Sequence, residues 1–143
     1  MKFVEIKWNS ADYHRLIKLR DRMLRIPLGL TFDPQDLQAE SDHFHFAMVE
    51  NDQIAACVVA VPLENGEAKI RQMCVDESFQ SQGIGSQLME NVEQWLASRG
   101  YVRLILHARK EAIDFYLKLE YSPFGKPFEE VTIPHQAMEK RIG

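Results

Sequence analysis

The chain has 143 residues, 45% of them apolar, which is enough for one domain with a proper core and no staple. No apolar run approaches the roughly 18 residues that a membrane-spanning helix needs, and the short, charged, alternating start Met1–Lys7 has no leader-peptide pattern, so the expectation is a cytoplasmic protein without membrane partners. A net charge of −4 with no basic stretch argues against nucleic acid, and two cysteines are too few for a disulfide framework or a zinc site, so no metal is expected.

In chain order, residues 3–7 alternate like a short edge strand. Ser10 is a helix cap for a helix over 11–24, whose apolar face is Tyr13, Leu16, Ile17, Met23 and Leu24; Pro27 and Gly29 end it. Asp33-Pro34 opens a further short helix. Phe44, Phe46 and Met48 alternate with His45, Ala47 and Val49 as in a strand, and Asn51-Asp52 is a turn signal. The apolar run 54–61 reads as a strand buried on both faces, joined through the hairpin signal Asn65-Gly66 to a strand over 68–75. Together these make an antiparallel three-strand meander.

The second half changes character. Ile84, Leu88, Val92, Trp95 and Leu96 recur at helical spacing from Gly83 to Arg99, and Gly100 stands where a helix-terminating glycine belongs. A strand over 101–107, an amphipathic helix over 112–119 and two final strands, 121–126 and 131–140, follow. Strand–helix–strand across 70–107 requires a parallel crossover. The fold class is therefore α/β, one domain over 1–143 with a mixed, mostly antiparallel twisted sheet of six to seven strands and helices on both faces.

The most informative segment is Gln80-Ser81-Gln82-Gly83-Ile84-Gly85-Ser86, between a strand and a helix. A helix start leaves backbone N–H groups unpaired and carries partial positive charge, and the glycines admit an anion close to the backbone, so the segment suits a pyrophosphate. A Walker loop is excluded because no Lys-Ser/Thr follows the last glycine, and a dinucleotide fingerprint because its third glycine position is Leu88.

This loop, Gln80-x-x-Gly83-x-Gly85, resembles the Q/R-x-x-G-x-G/A loop of the GNAT superfamily of N-acetyltransferases. The strand Ile70–Val75 before it, the helix ending at Gly100 after it, and Ala112-Ile113-Asp114-Phe115-Tyr116-Leu117-Lys118-Leu119-Glu120-Tyr121, similar to the family's A-x-x-F-Y-x-K-L-G-F, follow in the family's order. The resemblance spans essentially the whole chain and is strongest over 68–125. It implies an enzyme that transfers an acetyl or other acyl group from acetyl-CoA to a small-molecule or peptide amine, and a homodimer by analogy.

By that resemblance the backbone of Met73, Cys74 and Val75 pairs with the pantetheine arm and polarises the thioester, the amides from Gln80 to Ser86 hold the pyrophosphate, and Tyr116 protonates the departing thiolate. Arg109 stands where the family often has a cofactor-contacting Asn, Glu120 replaces the family's glycine, and Lys69 and Arg71 occupy the strand that in some members carries a glutamate base. His135, in the last strand, is the candidate base. Arg71, expected on one face with Met73 and Val75, and Arg15 could contact a substrate carboxylate, although simple surface or ion-pair roles fit both better. Glu129-Glu130 could attract an ammonium group, but the pair reads more simply as solvated loop charges, and His45 reads as a partly exposed strand residue beside His43. The segments 25–43 and 122–135 are expected to set substrate choice. The competing class is a non-catalytic acyl-CoA-binding module of the same fold.

Overall fold

The computed structural model describes residues 1–30 and 33–143; Thr31 and Phe32, in the segment expected to shape substrate choice, lie outside the described residues. Eight strands form one sheet: β1 (Lys2–Ile6), β2 (Phe44–Glu50), β3 (Gln53–Pro62), β4 (Glu67–Val75), β5 (Arg103–Arg109), β8 (Ile133–Arg141) and β6 (Ser122–Pro123), in that spatial order, with β7 (Phe128–Glu130) also paired to β8. The β4–β5 pair is parallel, as the crossover requires, and the others are antiparallel. The β2–β3 and β3–β4 turns are the two that the sequence signals: Asn51-Asp52 (φ 50° and 64°) and Asn65-Gly66 (φ 61° and 73°) take the left-handed pairs of type I′ turns.

After Tyr121 the chain makes three strands where two were expected. The first is paired only over Ser122–Pro123, and Gly125 (φ 70°) turns the chain before β7. Val131 and Thr132, assigned by sequence to the last strand, instead form the β7–β8 turn at φ 53° and 60°.

Helix α1 (Ala11–Arg20) starts at Ser10, whose hydroxyl accepts the Tyr13 N–H. The chain does not continue as α-helix to residue 24. It widens into a π-turn at Asp21–Arg25 and tightens into a 3-10 turn at Ile26–Leu28, which Gly29 ends. Helix α2 (Pro34–Gln38) is capped by Asp33. Helices α3 (Ile84–Ala97) and α4 (Ile113–Lys118) cover one face of the sheet, over Phe46, Val58, Leu104 and Leu106. Helix α1 covers the other, with Leu16 and Leu19 over Ala47, Cys57 and Cys74.

A buried polar network ties α1 to the chain before β2. The Arg20 guanidinium donates to both Glu40 carboxylate oxygens (2.9 and 2.7 Å), and the Tyr13 hydroxyl donates to the first of them. His45 Nε2–H donates to the Glu40 carbonyl at 3.0 Å. His45 is thus 1% exposed, not partly exposed as its strand position implied: α1 folds over its face.

The feature that shapes the site is a bulge in β4. Cys57 pairs with Cys74 but Val59 pairs with Arg71, so Gln72 and Met73 together oppose Val58, and Gln72 takes φ 56°. The extra residue reverses the alternation. Ala68 and Ile70 enter the α3-side core before the bulge; Met73 and Val75 pack against it afterwards. Arg71 consequently shares the α1 face with Lys69 and Cys74, and the expectation that it sides with Met73 and Val75 is overturned. Pairing of β4 with β5 runs only from Glu67↔Arg103 to Ile70↔Leu106.

Candidate active site

Beyond Ile70 and Leu106 the two parallel strands part, and a cleft of about 350 Å³ opens between them. Met73, Ala112 and Tyr116 line it on the α3–α4 side, Leu24 and Leu28 on the α1 side, and the β7–β8 hairpin closes one end with Glu130, Val131 and His135. The π-turn is what carries Leu24 and Arg25 to this wall.

Tyr116 is buried on α4, packed edge-on against Phe115 and Tyr121. Burial pushes its phenol well above the ordinary tyrosine value, and the neighbouring Cys74 adds to this, so it stays protonated. Opposite, His107 Nδ1–H donates to Glu130 Oε1 at 3.1 Å, and His135 Nδ1–H donates to the Ile133 carbonyl at 2.7 Å. With its Nδ1 committed as donor, neutral His135 keeps its lone pair on Nε2, 3.7 Å from Glu130 Oε2. Phe128 lies between the imidazoles, edge-on to His107 and stacked on His135. Burial raises the Glu130 carboxyl, but the His107 hydrogen bond and the charges of His107, His135 and Lys69 outweigh it and hold the group below the usual carboxylate range. Glu130 therefore lines the cleft while its side chain stays 44% exposed, a solvated carboxylate that is paired with His107.

The glycine loop sits at the head of α3. No side chain caps that helix, and the first intrahelical bond is from the Gln87 N–H to the Gly83 carbonyl, so the amides before it face outward. Gly83 is left-handed (φ 78°), and a Cβ there would meet nothing within 4 Å, leaving the approach open. Gly85 has a different role. A Cβ on it would stand 3.0 Å from the Met73 methyl and 3.2 Å from the Phe115 ring, so its absence lets α3 close against β4. The Ile84 side chain is buried in the core. Gln80 donates to the Val75 carbonyl at 3.1 Å and Gln82 to Ser78, which brace the loop against the end of β4.

The free edge of β4 lies alongside. The Asp76 N–H bonds the Ala55 carbonyl on β3. Strand alternation then turns the Cys74 peptide groups toward β3 as well, and those of Met73 and Val75 toward the cleft, where β5 has left. Of the expected β4 trio, Cys74 therefore faces the wrong way. Its thiol is buried 3.7 Å from that of Cys57.

Residues 32–142 match the family model described as acetyltransferase (GNAT) domain. The chain belongs to the GNAT acetyltransferase family. Among relatives, the Bacillus subtilis (strain 168) protein YyaT is 26% identical over 138 residues, spanning 93% of this chain and 91% of its own. The fold is also that of an aminoglycoside 6′-N-acetyltransferase solved with coenzyme A (TM-score 0.84, 18% identity, 99% and 97% of the two chains). It is shared as well by the ribosomal-protein-S18-alanine N-acetyltransferase of Escherichia coli (TM-score 0.79, 19% identity, 99% and 94%).

Within this GNAT frame, the structure brings Tyr116, Met73 and His135 to one cleft and stations 80–86 behind it. It does not give Arg109 to the loop. Alternation along β5 places Arg109 with His107, away from the core residues Leu106 and Ala108, and its guanidinium donates to the Leu24 carbonyl on the α1 side at 3.4 Å. Arg15 stays on the exposed side of α1, bonded to Asp12 and to the Asp52 carbonyl. His107 and Glu130 were missed as a pair. The only sequence signal for His107 is its two-residue spacing from Arg109, and Glu130 precedes a turn, Val131-Thr132, without the usual turn residues.

Proposed function

We propose that this GNAT domain transfers an acetyl group from acetyl-CoA to a primary amine by direct attack of the amine on the thioester. The observation that carries this reading is the cleft itself. One wall holds a protonated phenol, the other an imidazole–carboxylate pair, and a free strand edge leads from it toward an uncapped helix start. The residues fit the cosubstrate: Gly83 leaves open space over the α3 amides, and the β4 groups of Met73 and Val75 have no β5 partner.

Acetyl-CoA, when bound, supplies the activated acyl thioester; the chain supplies position and protons. An outward N–H of β4 beyond Ile70 would hold the thioester oxygen and stabilise charge building there. Glu130, held ionised, attracts the incoming ammonium, and His135 Nε2, facing the same 3.7 Å gap, accepts its proton so that the neutral amine can attack. Tyr116, which lines the cleft, would be the group that meets the leaving sulfur. A thiolate has a pKa near ~8.5 and the buried phenol lies well above that, so Tyr116 stabilises sulfur by a donated hydrogen bond, and the proton from the amine completes the thiol.

The test is thiol release from acetyl-CoA in the presence of an amine panel. Tyr116→Phe is expected to lower kcat by about 10²-fold with little change in acetyl-CoA affinity. Tight acetyl-CoA binding with no amine-dependent thiol release would overturn the reading in favour of a non-catalytic module.

A further inference from the structure

The acceptor side of the cleft contradicts the chain's overall charge. The protein carries a net −4, yet Lys69, Arg71 and Arg109 all line this one cleft. The bulge at Gln72 puts Arg71 beside Lys69 on the α1 face, and β5 alternation sends Arg109 the same way. Among the described residues no carboxylate lies within 4 Å of any of the three: the acids nearby are spent elsewhere, with Glu130 bonded to His107 and facing His135. Arg109 is held by a neutral carbonyl. The crowding is felt: after burial, the charge of Arg71 lowers the affinity of Lys69 for its proton, with Glu130 acting against it, and burial, Arg20, Arg71 and Arg109 lower that of Arg25 against the opposing charge of Asp36. Like charges gathered in a half-open cleft are destabilising unless an anion joins them. The cosubstrate does not need them, because its phosphates have the α3 amides on the opposite face of the sheet.

We infer that the acceptor is a small amine that also bears an anionic group, a carboxylate or a phosphate, which Arg71, with Lys69 and Arg109, binds while Glu130 and His135 receive the amine. A cavity of about 350 Å³ suits a molecule of metabolite size. Polycationic amines would meet these three charges and are disfavoured. The inference rests on the transferase reading of the same cleft.

The experiment compares kcat/KM for matched amines: an ω-amino carboxylate, its neutral amide, the ω-amino phosphate of the same length, and a diamine. At least one of the two anionic amines should exceed the amide and the diamine by about tenfold or more, as one charge-assisted hydrogen bond provides, and which of them leads identifies the anion. Arg71→Gln, on an exposed position that leaves the core intact, should cut that preference at least about fivefold, chiefly through KM of the anionic amine. Equal or better turnover of the amide or diamine, or a preference untouched by Arg71→Gln and by Lys69→Gln, would overturn the inference while leaving the transferase reading standing. Acetyl-CoA binding without acetylation of any amine would overturn both.

Discussion

Glu120 closes α4 in a left-handed conformation (φ 73°), with the Tyr121 N–H returning to the Tyr116 carbonyl and the Glu120 N–H to that of Leu117. This is the glycine-type helix end, built with a glutamate in the glycine's place. Replacing the family's glycine thus leaves the turn intact and costs backbone energy. Glu120→Gly is expected to stabilise the protein by about 1 kcal/mol, read as a higher urea midpoint at unchanged slope. The loop glycines separate by cause. Gly83→Ala should cost about 1 kcal/mol through φ alone, because its surroundings are open. Gly85→Ala should cost about 1–3 kcal/mol by pushing α3 off Met73 and Phe115. Both glycines were legible in the sequence as a phosphate loop, but that one serves packing was not, since Phe115 reaches it from thirty residues further along the chain.

Elements were legible wherever a local rule sets them: the Ser10 and Asp33 caps, the Asn-Asp and Asn-Gly turns, and the α3 stripe ending at Gly100. What the sequence concealed were the two irregularities that make the cleft. Residues 21–25 keep a helix-like pattern, yet they widen into the π-turn that lies against β4. The bulge leaves no mark either, because Gln72 is an ordinary strand residue and Lys69-Ile70-Arg71-Gln72-Met73 fits an unbroken alternation. Arg71, Arg109 and His107 were therefore visible as residues but not as neighbours. Backbone strain at Gln72 gives the test. Gln72→Gly should hold or raise stability, while Gln72→Val, β-branched at φ 56°, should cost about 1–2 kcal/mol and weaken acetyl-CoA binding, which calorimetry and a urea titration would show together. Equal effects of the two would mean that the bulge does not set the splay of β4 from β5.

For the whole molecule, the Arg20–Glu40–Tyr13–His45 network decides how α1 is held over the sheet and hence where its π-turn meets the cleft. Arg20 is fully buried, so Glu40→Gln removes the carboxylate charge to which its guanidinium donates and should cost about 3–5 kcal/mol, whereas Arg20→Met with Glu40→Leu should recover most of that loss. The same network sets the response to acid. Burial lowers the His45 affinity for a proton, with Arg20 and His43 acting in the same sense against the Glu40 contacts, and among the described residues its buried Nδ1 has no acceptor for a second N–H. An unfolded histidine titrates near ~6.5, so below that pH the unfolded chain binds a proton that the native one refuses. Stability then falls as pH falls. Glu40 adds a second, lower window: burial raises its carboxyl but Arg20 outweighs this and depresses it, so its contribution is present above about 4.3 and is lost as pH drops through the folded value. Thermal unfolding should therefore show a plateau above neutrality, one decline starting near pH ~6.5 and a second starting near ~4.3. His45→Gln should remove the first decline and leave the second. A first decline that survives this substitution would assign it to another group and free His45 from the role of an acid-sensitive tie beneath α1.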